Sequence, residues 1–328
     1  MLKTIKHLQL LLIIFILFMG SFLNVFSQAV PSPEENIPFL VTFGKDASTA
    51  YGDDDNGQIF FFSIPKTFNK PFYIRIFDPE TGGQNDEISK TADTECSFSL
   101  YGGLGCISEK DARGVNLKGN YKSGNMLHTK TFGSESTYDN KWYTIGPLNP
   151  SQGEYVEEYY GFIFKLICEG LKGNDGNLYR YFLSSSPTQN IAIEGGNAFT
   201  FEYSFRLSDT PGQVAHIYPF VDSKVVSIKQ INFDFDSDGS IKLYSNATIG
   251  TVMNISGDDV WSESSYVIKI NEKGTSLDIQ ITKANKPKKN NNVVFYVTNQ
   301  YGEALPFFAV PIGGIPKYKG KITFSPTK

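Results

Sequence analysis

Residues 53–87 read DDDNGQIFFFSIPKTFNKPFYIRIFDPETGGQNDE. Two apolar runs, Ile59–Ile64 and Phe72–Phe77, flank a short polar connection bounded by Pro65 and Pro71. Runs this short, rich in Phe and Ile and closed by Pro, Gly and Asp, are the signature of strands rather than helices. Both alternating faces of Phe72–Phe77 are largely apolar, so this strand belongs inside a sandwich. Arg75 within it then needs a partner, and a carboxylate is the expected one. Acids stand at the outer end of each run: Asp53, Asp54 and Asp55 before the first, Asp78, Asp86 and Glu87 after the second. If the two runs pair as an antiparallel hairpin, these six carboxylates meet at one rim.

The same texture extends along the chain. Its 328 residues hold 27 Phe and 18 Tyr against 4 Met, a balance suited to pleated, half-buried surfaces. Tyr159–Cys168 and Leu178–Ser184 flank an Asp-Gly turn and read as a second hairpin. Phe199–Leu207 alternates Phe and Tyr with Thr200, Glu202, Ser204 and Arg206, which predicts one buried and one wet face. SDTPGQ at 208–213 has the composition of a linker. Beyond it strand-like runs recur between turn signals, among them Val225–Phe235 and Ser240–Ser245 around another Asp-Gly. KANKPKKNNN at 283–292 reads as a solvated basic tip between strands. Only 88–140 resists, with Cys96–Tyr101 its one clear strand. The expected fold is all-β: two tandem antiparallel β-sandwich domains, Ig-like or jelly-roll-like, over 30–210 and 211–328.

Residues 1–29 carry a basic start (Lys3, Lys6, His7), an apolar run Leu8–Phe18 and small residues at Ser27 and Ala29. This is a signal-peptide pattern, with cleavage after Ala29 or after Ser27. The apolar run is short for a retained span. Export to periplasm, cell surface or medium is therefore expected, with no membrane span after removal. A net charge of −4 supplies no basic face for nucleic acid. Export permits oxidation. Cys96 and Cys106 bracket a strand and a Gly-rich turn and are the candidate disulfide, whereas Cys168 sits in an apolar run and reads as a small buried hydrophobe.

The six carboxylates of the expected rim are the first candidate site. Ca²⁺ takes about six to eight oxygen ligands from carboxylates, carbonyls and water, and the flanking glycines free backbone carbonyls to join them. DFDSDG at 234–239 opens like a calcium loop and brings forward Asp234, Asp236 and Asp238 as a second, weaker set. The position that should close such a loop is Ser245, so an Asp-Gly turn competes with that reading. Trp142, Tyr143, Tyr155 and Tyr159 are candidate rings for glycan contact, against the usual fate of aromatics in a core. Catalytic signatures are missing: His128 and His216 lack a third ligand nearby, and no H-E-x-x-H, G-x-S-x-G or phosphate loop occurs. Glu154, Glu157 and Glu158 would need an acid elsewhere to make a glycosidase pair.

GDDDNGQIFFFSIP (52–65), FYIRIFDPETGGQNDE (72–87) and GNDGNLYRYFLS (173–184) resemble exported bacterial β-sandwich accessory modules, of pre-peptidase C-terminal-like or carbohydrate-module-like kind. The resemblance covers the first domain and implies fold class and compartment, not an activity. The expectation is an exported, non-catalytic binding or surface-structural protein, Ca²⁺-stabilised, with an extracellular glycan or protein as partner. A glycan-binding accessory protein using 138–160 and a jelly-roll carbohydrate-active hydrolase are the alternatives.

Overall fold

The computed structural model describes residues 28–317. Every regular element among them is a strand or a short 3-10 turn. The largest sheet orders β18 (Trp261–Val267), β15 (Ser227–Phe233), β21 (Asn292–Asn299), β12 (Glu202–Arg206), β2 (Phe39–Phe43), β10 (Gly176–Ser184), β4 (Phe72–Phe77) and β7 (Trp142–Leu148), with β1 (Ala29–Val30) also on β10. A second sheet orders β22 (Phe307–Phe308), β11 (Asn197–Thr200), β3 (Gly57–Pro65), β9 (Gly161–Lys172), β5 (Glu95–Gly102) and β6 (Asn125–Phe132), with β8 (Glu154–Val156) on β9. A third orders β13 (Val214–Ile217), β20 (Asp278–Lys283), β16 (Gly239–Tyr244) and β17 (Thr251–Met253), and β14 (Phe220–Val221) pairs with β19 (Thr275–Ser276).

Aromatic rings join the two large sheets. Phe60 of β3 meets Tyr181 of β10 and Tyr203 of β12 edge-on, with ring centres 5.4 and 5.5 Å apart. Phe98 of β5 meets Tyr179 of β10 at 5.1 Å, and Phe72 of β4 meets Phe164 of β9 at 5.0 Å. The same buried cluster continues through Ile228, Phe295 and Val297 to Ile241, Leu243, Ile279 and Ile281 of the third sheet. Hydrogen bonds also cross the boundary expected at 210/211, because β12 pairs with β21 from Glu202 opposite Tyr296 to Arg206 opposite Asn292.

The strands lie close to where the sequence puts them; their partners differ. Ile59–Ile64 and Phe72–Phe77 do not form a hairpin: β3 pairs with β9 and β11, β4 with β10 and β7. Gly57 through Ile64 are all buried, so β3 needs a neighbour on each edge and a layer on each face. The connection at 66–71 is long enough to step across the ~10 Å between stacked sheets. The hairpins expected at β9–β10 and β15–β16 also split between sheets. At the first of these, the Asp175 carboxylate accepts from the backbone of Ser89, Asp93 and Thr94, so the Asp-Gly turn anchors the 88–94 loop. Phe199–Leu207 changes sheets at Phe201, and Thr200, Glu202 and Ser204 of its expected wet face are buried.

Arg75 finds no carboxylate; it donates to Thr144 Oγ1 and Asn190 Oδ1 and lies 5.0 Å over the Trp142 ring. The expected Cys96–Cys106 bridge is absent, and all three thiols are free and buried. Cys96 opens the extended β5 and packs with Phe98 and Leu100. Cys106, beyond the strand's far end, packs with Tyr101 and Ile107. The signal segment expected at 1–29 lies outside the described residues except for Gln28 and Ala29. Gln28 is buried and bonds through its amide to Ile193 and Gly196, and Ala29 pairs with Phe182. No helix among the described residues is long and apolar enough to cross a membrane.

Candidate metal centres

With β3 and β4 in different sheets, the six carboxylates divide. Three groups of acids place oxygens within 4.8 Å of one another: Asp53, Asp54 and Asp55; Asp78, Glu80 and Asp139; and Asp234, Asp236 and Asp258. That span is what two ligands on opposite sides of one ion need, at about 2.4 Å each. Glu87 joins none of them. It pairs with Arg206 and accepts from Asn292.

Pairing builds the second group. Phe77 of β4 stands opposite Trp142 of β7, and the Asp78 amide donates to Lys141 O at 2.9 Å. The chain leaving β4 therefore lies against the chain entering β7, which delivers Asp139 to Asp78 and Glu80. Asp78 accepts from Asn140 N at 2.8 Å and Asn85 Nδ2 at 2.6 Å. Asp86, beside them, accepts from the backbone of Leu178, Gly82 and Gly83. A Cβ on Gly83 would stand 2.2 Å from Asp139 Oδ1, so only glycine lets that carboxylate close in.

Glu80 is different from its neighbours. It is 1% exposed, and its Oε1 has no hydrogen-bond partner. Burial, then the charges of Asp86, Asp78 and Asp139, push it up to about 8. Burial lifts Asp86 to about 7 against three backbone donors, and raises Asp78 as well. Two more buried oxygens of the same loop and its neighbouring strand, Thr81 Oγ1 and Asn177 Oδ1, lack partners, and the Asn177 amide donates to Pro79 O at 2.8 Å. The group offers hard oxygen donors and no sulfur or imidazole, a set suited to Ca²⁺.

In the first group, Asp53 caps the backbone of Phe43 at 2.7 Å and Asn56 at 2.9 Å, while Asp55 accepts from Gly57 at 3.2 Å and Leu117 at 2.8 Å. Burial, joined by mutual repulsion, lifts Asp53 to about 7 and Asp55 to about 8; Asp54 rises to about 6, chiefly through burial. In the third group Asp258 takes the place expected for Asp238. Asp238 turns inward to a buried ion pair with Lys283, and Lys288 Nζ lies 2.7 Å from Asp236 Oδ1. The loop expected to be a solvated basic tip thus folds over the acidic turn.

The four candidate aromatic residues do not share a surface. Trp142 packs between Phe77 and Arg75. Tyr143 turns to Phe132 and Tyr138, with its hydroxyl 3.0 Å from His128 Nε2. Tyr155 packs on Phe162 under Lys66, and Tyr159 stacks on Phe199. Tyr159 lines an open cleft of about 600 Å³, with Phe220, Glu158, Arg113 and Glu303, and Trp142 lines a separate one of about 440 Å³, with Ile37, Pro38 and Arg180.

Glu80, Asp139 and Asp258 escaped the sequence reading. Glu80 had a local signal, an Asp-x-Glu spacing before Gly82-Gly83. Asp139 and Asp258 come from distant loops and carry none. Neither a scan against protein-family models nor a search of curated proteins returns a match.

Proposed function

We propose that the chain is an exported, non-catalytic binding or surface-structural protein whose loops are fixed by Ca²⁺ at Asp78, Glu80 and Asp139, with Asp86 in support. The observation that carries this reading is the unpartnered Glu80 Oε1, buried among carboxylates. A buried charge without a counter-charge is strongly unfavourable, and a divalent cation relieves all the repulsions there at once. In this reading the large sheet serves two sandwich units, one for each half of the chain. Processing after Ser27 would leave Gln28 and Ala29 in place. The long loops held by buried carboxylates are the surface available to a partner.

The test is a thermal melt of the exported protein in chelator and in millimolar Ca²⁺. The midpoint should rise with Ca²⁺ and follow its concentration, and Glu80→Gln should abolish most of that rise. Equal midpoints in chelator and Ca²⁺ would remove the calcium reading. The cleft beside Tyr159 favours a second reading, glycan contact, because its aromatic floor is ringed by acids and cations. Tyr159→Ala should then weaken retention on an immobilised polysaccharide without moving the calcium-dependent midpoint.

A further inference from the structure

We propose that Glu202, together with Asp54 and Asp55, forms a second Ca²⁺ centre, at the seam where the large sheet passes from one half of the chain to the other. Glu202 belongs to β12, which pairs with β2 of the first half and β21 of the second. It is 6% exposed, and its Oε2 has no hydrogen-bond partner. The charges that act on it are Asp55, Asp54 and Asp53, all negative. Asp54 Oδ1 is likewise buried and unpartnered. The cation acting on this acid group is the exposed Lys118, which acts on Asp54.

Space and donor chemistry agree with an ion. A void of about 10 Å³ has Asp55, Gln58, Asn116, Thr200 and Glu202 on its polar side and the apolar side chains of Ile59, Phe61, Leu117 and Phe201 on the other, the volume that one water or one ion fills. Asp53 accepts three backbone N–H groups, from Phe43, Asp55 and Asn56, two of them on Oδ1, so it supports the turn. Each Asp55 oxygen accepts a single N–H and keeps a lone pair free. Oxygen is the donor throughout, from a rigid turn, a strand and the loop that carries Asn116. An ion there would tie the 52–56 turn and the 114–117 loop to β12.

This inference rests on the calcium reading above, and the experiment separates the two. Tyr296 stands opposite Glu202, and its phenol is raised by burial and by the charges of Glu202 and Asp54, so it is placed to sensitise Tb³⁺ bound at the seam. Calorimetry with Ca²⁺ alone should give two sites for the wild type and one for Glu202→Gln. Tyrosine-excited Tb³⁺ luminescence should fall severalfold in Glu202→Gln and persist in Glu80→Gln. Tyr296→Phe, which keeps every ligand, should retain both sites and lower the luminescence to the level of Glu202→Gln. Unchanged stoichiometry in Glu202→Gln, or luminescence that Tyr296→Phe leaves at the wild-type level, overturns the seam site and leaves the Glu80 site standing. Loss of Ca²⁺ binding in neither Glu80→Gln nor Glu202→Gln overturns both.

Discussion

The loops around Glu80 and around Asp236 hold the same number of clustered acids within the same span, yet they meet opposite fates. At Asp234, Asp236 and Asp258 the chain supplies its own cation: Lys288 reaches Asp236, and Lys283 neutralises the neighbouring Asp238. At Asp78, Glu80 and Asp139 no such ion pair forms among the described residues; the cation acting on Asp78 is Arg180, whose guanidinium lies over the rings of Phe39 and Phe77. Acid count therefore does not distinguish a metal site from a structural one. Under the proposed calcium reading, the distinction lies in whether an ammonium or guanidinium reaches the carboxylates, and in whether a buried oxygen is left unpaired.

The largest effect should come from breaking the self-neutralised side. Lys283 and Asp238 side chains are 1% and 2% exposed, so Lys283→Met strands a buried carboxylate. The expected loss is about 3–5 kcal/mol in urea denaturation, with most of it recovered in Lys283→Met/Asp238→Leu. A loss below about 1 kcal/mol would mean that the pair is solvated and that the comparison fails on this side.

Next comes calcium itself. At a free concentration a hundred times Kd, the wild type should gain about 2.7 kcal/mol. Glu80→Gln should melt above the wild type in chelator at neutral pH, because the folded state no longer has to take up a proton to keep a buried acid with a value of about 8 neutral, and below it in Ca²⁺. This crossing is the diagnostic result. A Glu80→Gln curve displaced in the same direction under both conditions would make Glu80 an ordinary structural acid.

Strand positions were legible because the aromatic and β-branched runs and their Gly, Asp and Pro boundaries are local. Strand partners were not. β3 and β4, β9 and β10, and β15 and β16 are neighbours in sequence with turn chemistry between them, and each pair is divided between sheets; burial on both faces explains this for β3, whereas β15 and β16 each bury one face. That division decides the sites. Asp78 could be read as an acid at a strand end, but its companions Glu80 and Asp139 meet through the β4–β7 pairing. Glu202 lay in an alternating pattern that promised a wet face, and the sheet change at Phe201 buried it. The Asp53–Asp55 turn does cluster its acids, but the rim expected to join it to Asp78 does not form, because β3 and β4 lie in different sheets.

Glu35 supplies the case of a buried acid outside the three clusters, with only Glu34 as a minor like charge beside it. It accepts from Ser32 N at 2.6 Å and Tyr203 Oη at 2.9 Å, and burial lifts it from 4.5 to about 7. The folded value lies above the unfolded one, so the folded state holds the proton more tightly. The resulting stabilisation is complete below about pH 4.5 and is lost as the pH rises through 7. Melts in saturating Ca²⁺, where the acid clusters are held by the ion, should show stability falling from pH 5 to pH 8. Glu35→Gln should flatten that fall. A slope identical in the variant would assign it to other groups.

The smallest effect on stability belongs to Lys288, and it bears most directly on the comparison. Its ammonium is half exposed, so removing it should cost under about 1 kcal/mol. Lys288→Met nevertheless takes away the cation closest to Asp236, leaving Asp234, which burial and the charges of Asp236 and Asp258 hold at about 7, beside unneutralised neighbours. Asn291 Oδ1, buried and unpartnered nearby, adds a neutral oxygen. If absence of a protein cation is what makes an acidic turn bind metal, this variant should acquire one further Ca²⁺ in calorimetry and a larger calcium-dependent rise in melting temperature than the wild type. If it loses a little stability and gains no ion, the acids at Asp234 lack the coordination geometry, and the unpaired Glu80 oxygen rather than the missing lysine marks the calcium site.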